Sequence, residues 1–231
     1  MEIRNALISD KERISEISSI SGYVDYITPN LDRMISNGGM FVFEEEKRIK
    51  ALFQVGFSNR TWISALRVDP QFRNLGIASK MLKWAENEST RRGFHSMGCL
   101  IEKNNSKSIG LFQANGFKEV SRYFTSNCSP EDSEIREIKG KQVNEKCIMI
   151  DWEVICPPEG GDKYKDAKLV EDSNKNLLIR YLNDYYVLET NGQMSKTGNR
   201  FTSWSELNDN KMRKYHSDCE IWEYIHFRKI I

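Results

Sequence analysis

The sequence predicts an α/β chain of the α+β kind. Strand and helix patterns alternate through the first 127 residues, an antiparallel meander lies among them, and a mixed segment follows a break rich in proline and glycine. Apolar residues recur at helical spacing in some stretches and as short β-branched runs in others. An apolar content of 39% over 231 residues supports a packed core, in one large domain or one domain with a smaller second one.

"EIRNAL" reads as the first strand. Ser9 and Asp10 then supply an N-cap for "KERISEISSI", where Ile14, Ile17 and Ile20 fall on one helical face. "ITPNLDRMISN" reads as a short second helix stopped by Gly38-Gly39. Strands "MFVFEEE", "IKALFQVGF" and "TWISALRV" form the meander. A third helix opens at "RNLGIASKML" and buries Ile77, Met81, Leu82 and Trp84. "HSMGCLIE" reads as a strand buried on both faces, "NSKSIGLFQANGF" as a helix ending at Gly116, and "FKEVSRYF" as a strand. The order is β-α-α-β-β-β-α-β-α-β. "SPEDSEIREIKGKQVNEK" reads as a long polar excursion and "CIMIDWEVI" as one strand. "CPPEGGD" is the expected linker, dividing a domain at 1–156 from a C-terminal α/β accessory domain at 157–231. In the latter, "NLLIRYLN" reads as helix and "YYVLET" as a strand ending in an Asn191-Gly192 turn. "SWSELNDNKMRKYH" reads as a capped helix and "CEIWEYIHF" as a closing strand.

A formal net charge of +1 argues against a nucleic-acid partner, and no apolar run approaches the roughly 20 residues of a membrane span. The N-terminus shows no secretory pattern, so a cytoplasmic location is expected. Cysteines 99, 128, 147, 156 and 219 form no CxxC pair, and His95, His216 and His226 share no ligand spacing. A reduced protein without a metal is the expectation.

The chemistry concentrates at Arg73, Asn74, Leu75, Gly76, Ile77, Ala78 and Ser79. A strand, a turn and a helix start expose unpaired N–H groups at the positive end of a helix dipole. Gly76 lets an anion approach that backbone, and Ala78 keeps the next position narrow. The spacing is neither the dinucleotide fingerprint nor Walker A.

"VDPQFRNLGIASKML" resembles the acyl-CoA signature of the GCN5-related N-acetyltransferases (GNAT), Arg/Gln-x-x-Gly-x-Gly/Ala, at Arg73, Gly76 and Ala78. "NSKSIGLFQANGF" is similar to the family's second signature at Asn105, Ser108, Leu111, Phe112, Gly116 and Phe117. The resemblance covers about the first 125 residues plus "CIMIDWEVI". It implies a mixed, mostly antiparallel sheet flanked by helices, with acetyl-CoA as co-substrate in a gap between the fourth and fifth strands. Leu66, Arg67 and Val68 would then offer a strand edge to the pantetheine, with the Val68 amide toward the thioester oxygen. Asn105 would contact the pantetheine, or cap its own helix, or do both.

The sequence departs from that pattern in the fourth strand, where the family often has a glutamate, and at Phe112, which stands where the family usually has a tyrosine that protonates the departing thiolate. Tyr123 and Cys128 are the candidate substitutes. "TWISALRV" holds no carboxylate, so the candidates for general base are Ser64, through a water, and Glu102 or Glu44. Tyr23 and Tyr26 are candidates for an acceptor groove, or else cover the edge of the core. The implied activity is acetyl transfer to a primary amine by direct attack in a ternary complex. The acceptor would be a small amine or amino acid, or a peptide N-terminus, and a homodimer is left open. The competing expectation is a non-catalytic acyl-CoA binding module.

Overall fold

The computed structural model describes residues 1–22, 25–58, 60–130, 135–138, 147–150, 152–155, 167–181, 184–192, 194–196, 201–215 and 219–231. By its contacts the chain divides into two compact units. The first comprises Met1–Cys99, Gly110–Phe117 and Arg228–Ile231, the second Leu100–Ile109 and Lys118–Phe227.

In the first unit, β1 (Glu2–Asn5) leads to α1 (Lys11–Ile20) and α2 (Leu31–Ser36). The meander β2 (Met40–Glu45), β3 (Arg48–Phe57) and β4 (Thr61–Val68) follows. After it come α3 (Ile77–Arg91), β5 (Ser96–Glu102) and α4 (Ser106–Ala114), whose last turn belongs to this unit. Strands β1 to β4 pair antiparallel in chain order, and β4 pairs β5 in parallel across the α3 crossover. Against one face of the sheet, Ile14, Ile17, Leu31 and Met34 pack on Val42, Leu52 and Ala65. Against the other, Trp84 of α3 packs tilted on Phe41 and edge-on to Phe53, with ring centroids 4.8 and 5.8 Å apart, beside buried Ile77, Met81, Leu82 and Ala85. Each face gets its apolar side from the alternation in β2 and β3, while β5 is apolar almost throughout. Ser9-Asp10 lies in a 3-10 turn ahead of α1, where the Asp10 carboxylate accepts the Leu7 amide at 2.7 Å.

The second unit holds β6 (Lys118–Ser126), β7 (Cys128–Ser129), β8 (Arg136–Glu137), β9 (Ile148–Ile150), β10 (Glu153–Ile155), β11 (Lys168–Glu171) and β12 (Leu177–Tyr181). These are followed by β13 (Asp184–Glu189), β14 (Ser195–Lys196), β15 (Thr202–Ser205), α5 (Asp209–Tyr215) and β16 (Ile221–Ile230). Its sheet runs β16-β6-β15-β13-β12-β11-β8, with only the β13–β15 ladder parallel among the pairs described. Phe124, Leu178, Tyr185, Val187, Trp204 and Met212 form its core. Buried Asn176 ties the turn after β11 to the end of β13. Its carbonyl oxygen accepts from Thr190 and from the amides of Asn191 and Gly192.

Four sequence expectations change. "NLLIRYLN" is not a helix: its Leu177–Tyr181 stretch is β12, held between β11 and β13. Leucine and arginine favour a helix locally, and two-sided strand pairing outweighs that preference. "CIMIDWEVI" is not one strand but the β9–β10 hairpin, because Trp152 adopts φ 58° and turns the chain back. "SWSELNDNKMRKYH" opens as strand β15, with Trp204 fully buried, and only its second half is helical. The reduced-thiol expectation is overturned: β7 and the approach to β16 bring Cys128 and Cys219 to a Cα separation of 6.0 Å, where they form a disulfide. Cys147 is disulfide-bonded as well. The "CPPEGGD" linker lies outside the described residues.

Candidate functional site

The site begins with a defect in β4. Ala65 has φ 55°, and the β3–β4 register slips between Leu52 and Gln54, so β4 carries a bulge. A bulge bends its own strand. The ladder to β5 accordingly holds only Thr61–Met97 and Trp62–Gly98. Past the bulge, Arg67 and Val68 pair with Leu52 and Ala51 of β3. Their β5-side edge carries no ladder pair among the described residues. That is the open edge expected for Leu66, Arg67 and Val68.

The loop that follows is built by Asp69. Its carboxylate accepts the Gln71 amide at 2.9 Å and pairs with Arg13 of α1. Asn74 (φ 64°) and Gly76 (φ 73°) both take the left-handed conformation, one residue apart. The first main-chain bond of α3 runs from the Lys80 amide to the Gly76 carbonyl, so the amides of Ile77, Ala78 and Ser79 stand ahead of it. Left-handed turns before a helix start gather N–H groups into an anion-binding concavity. A Cβ built on Gly76 meets no protein atom within 4 Å. The space beside the glycine is therefore open to a ligand.

Arg73 is engaged with the backbone on both sides of the loop. Its guanidinium donates to the Val68 carbonyl at 3.2 Å and to the Ser21 carbonyl at 2.9 Å, bracing the loop against the end of α1. Ser79 accepts from the Asn115 amide at 3.1 Å, tying the start of α3 to the end of α4. Phe112 is buried and packs edge-on against Phe117, with ring centroids 4.9 Å apart. Asn105 caps α4, its side-chain oxygen accepting the Ser108 amide at 3.1 Å.

Of the candidates for catalysis and acceptor binding, Ser64 donates to Gln54 at 3.2 Å. Tyr26 lies beside it in the same unit, over the bulge. The guanidinium carbon of Arg67 sits 5.7 Å from the Tyr26 ring centroid. Burial of the phenol raises the Tyr26 pKa, opposed by the Arg67 charge and by bonding to Ala65 and Arg67. The ring's outer face is nevertheless 43% exposed. Tyr23 lies outside the described residues.

Glu102 and Tyr123 fall in the second unit. Glu102 is exposed, at the rim of a cleft of about 250 Å³ shared with Lys103, Arg213 and Trp222. Tyr123 is 2% exposed beside His226, with ring centroids 6.4 Å apart. Cys128 is spent in the disulfide and has no thiol proton to give, and Glu44 is paired with Arg4. What sequence reading missed is the Tyr26–Arg67 contact and the Arg13–Asp69 pair. A bulge is invisible in composition, and both contacts depend on it or on the turn beyond it.

The site joins a strand opened by a bulge, a nest of amides at a helix start, and a polar patch on the opposite side of that strand. These define an α+β domain whose opened strand leads into a helix start of anion-binding geometry. Residues 12–117 match the model of the acetyltransferase (GNAT) family. That match makes the segment an acetyltransferase domain. Among solved structures, the chain is similar to an acetyltransferase candidate from Thermoplasma acidophilum, at 13% identity, TM-score 0.70, with all of both chains covered. It is also similar to one from Pyrococcus horikoshii, at 14% identity, TM-score 0.62, covering 100% of this chain and 89% of that one. A GCN5-related N-acetyltransferase from Sphaerobacter thermophilus follows, at 11% identity, TM-score 0.57, with 99% and 95% covered. At these identities the likeness speaks to fold, and the fold is the one expected: a mixed, mostly antiparallel sheet with flanking helices. Among the described residues, no helix is long and apolar enough to cross a membrane, and no group of three or more His, Cys, Asp or Glu is placed to hold a metal.

Proposed function

We propose that the chain moves the acetyl group of acetyl-CoA onto a primary amine by direct attack in a ternary complex. The acceptor is a small amine or amino acid, with a peptide N-terminus as the wider alternative. The observation that carries this is the paired left-handed geometry of Asn74 and Gly76 ahead of α3, beside a glycine whose Cβ position is empty.

The residues fit that cofactor. The amides of Ile77, Ala78 and Ser79 would hold the pyrophosphate, and Leu66 to Val68 would pair with the pantetheine through their open edge. Bound there, acetyl-CoA supplies a thioester whose carbonyl carbon accepts an amine. Ser64, bonded to Gln54, would order a water that takes up the amine's proton. Phe112 has no proton to give, so in this reading the thiolate is protonated from water.

Gly76→Val tests it. The added side chain meets no protein atom, but it fills the anion's space, and a β-branched residue at φ 73° costs about 1–2 kcal/mol. Wild type should gain melting temperature with CoA and release thiol from acetyl-CoA when offered an amine. The variant should keep its far-UV circular dichroism and lose the CoA shift. A variant that binds CoA normally would overturn the cradle. One observation favours a second reading: buried Phe112 in place of a proton donor suits an acyl-CoA binding module without turnover. CoA binding with no thiol release on any amine or peptide would select that module.

A further inference from the structure

We infer that the cleft at the start of β16 binds a free amino acid as its zwitterion, with the carboxylate on Arg213 and the ammonium on Glu102.

The cleft is built entirely from the second unit. The Lys103 amide donates to the Glu223 carbonyl at 2.9 Å, which lays the end of β5 beside the start of β16. The Asn105 amide donates to the Glu102 carbonyl, also at 2.9 Å, closing the turn that carries Glu102 and Lys103. Ile221, packed against the core of this unit, gives the lining an apolar patch, and α5 supplies Arg213.

Most of the charge here is engaged. The Glu223 carboxylate pairs with Lys103 at 2.6 Å and with Arg122 at 3.0 Å. Arg213 is held from two sides. Its guanidinium carbon lies 4.9 Å from the centroid of the Phe124 ring, and its Nε donates to Asp209, one helical turn earlier, at 2.8 Å. Those contacts use one of the five N–H groups of the guanidinium. Among the described residues, neither outer nitrogen of Arg213 has a hydrogen-bond partner, and neither has the Glu102 carboxylate.

The cleft therefore presents one open fork of donors and one open carboxylate. The fork matches a two-oxygen anion, and the carboxylate matches a primary ammonium. An anion alone would meet Glu102, and a cation alone would meet Arg213, so a ligand bearing both signs satisfies the pair. A chain terminus of a peptide carries only one of the two charges. The cleft holds about 250 Å³, the liquid volume of about eight waters, which suits an amino acid and is too little to enclose a nucleotide.

The test takes the ligand apart one charge at a time. Calorimetry measures binding of the standard amino acids, their carboxamides and the matched acids without the amine, to wild type, Arg213→Gln and Glu102→Gln. Wild type should bind at least one amino acid about tenfold tighter than either relative, the worth of one hydrogen bond to a charged group. Arg213→Gln should lose the preference over the carboxamide and keep that over the deaminated acid. Glu102→Gln should do the reverse. A general loss of structure would weaken all three ligands together and cannot produce that crossed pattern. If a glutamine variant binds nothing, Arg213→Lys or Glu102→Asp is measured in its place, and a reduced preference supports the assignment while an intact one overturns it. No amino acid bound by wild type, or ratios unchanged in both variants, would also overturn the site. So would equal binding of an amino acid and its deaminated acid, which would make the cleft a plain anion site. The readout involves no CoA, so this site stands or falls apart from acetyl transfer.

Discussion

Asp69 shows how one side chain sets the geometry of the whole loop. Its side chain is 1% exposed, and it joins α1 to the turn after β4 through Arg13 while fixing the Gln71 amide. Burial pushes its carboxyl up, but the Gln71 amide and the Arg13 guanidinium together outweigh burial and hold the pKa below the ordinary carboxylate value. A depressed folded-state pKa gives stability that is present above the unfolded value of about 3.9 and lost as pH falls through the folded one. The melting temperature should therefore fall as pH drops below about 4, and Asp69→Asn should flatten part of that fall. At neutral pH the same variant should cost about 2–3 kcal/mol. That is less than a fully buried broken pair, because Arg13 still reaches water. Denaturant melts of both proteins across the acid range would check this. A variant as stable as wild type at neutral pH would show that the pair only decorates the turn. Little of this was legible beforehand: "VDPQF" announces a turn, but nothing in it says that the aspartate reaches an arginine 56 residues earlier.

Local signals worked best where one interaction dominates. Glycine stops, the β2–β3–β4 meander and the start of α3 all follow from spacing and punctuation, and the structure reproduces them. The Asn191-Gly192 turn is another such case. A Cβ built on Gly192 would lie 2.5 Å from the Asn174 Cβ and 3.3 Å from its carbonyl oxygen. Gly192→Ala should thus displace the turn that Asn176 organises and cost about 1–3 kcal/mol, read as an earlier denaturant midpoint with an unchanged slope. An unaltered midpoint would mean that Asn174 yields freely. Where the reading failed, the deciding interaction was remote. "NLLIRYLN" becomes β12 because strands on both sides claim it, and "CIMIDWEVI" breaks at a tryptophan with positive φ that no propensity scale flags. The bulge at Ala65 belongs with these failures. It is what opens the edge of β4, yet "TWISALRV" reads as an unbroken strand. The glycine turn ahead of α3 was visible in the sequence, and the bulge that opens β4 was not.

Over the whole chain, the two units differ in how they are fastened. The first contains a single cysteine, Cys99, buried in β5. The second is closed by Cys128–Cys219, a bridge spanning 91 residues that include most of its strands. A crosslink over so long a loop acts mainly on the unfolded chain, which it deprives of conformations, and bridges of this kind contribute about 2–4 kcal/mol. Odd cysteine number and scattered spacing concealed it, because pairing depends on two strands meeting rather than on distance along the chain. Melting in a reducing agent should therefore come about 5–15 °C earlier than in oxidising buffer, by the usual conversion of stability to melting temperature for a chain of this size. Cys128→Ser with Cys219→Ser should melt earlier than wild type in oxidising buffer and respond less to reductant, what response is left belonging to the disulfide of Cys147. Cys99→Ser should leave the response to reductant intact, since Cys99 lies outside the bridged unit. Wild type indifferent to reductant, with both bridge cysteines alkylated under native oxidising conditions, would show that the bridge does not form. On the proposed reading, the phosphate cradle lies in one unit. The cradle residues Asn74 to Ser79 all lie in the first unit, so below the reduced melting temperature the CoA-induced shift should survive reduction.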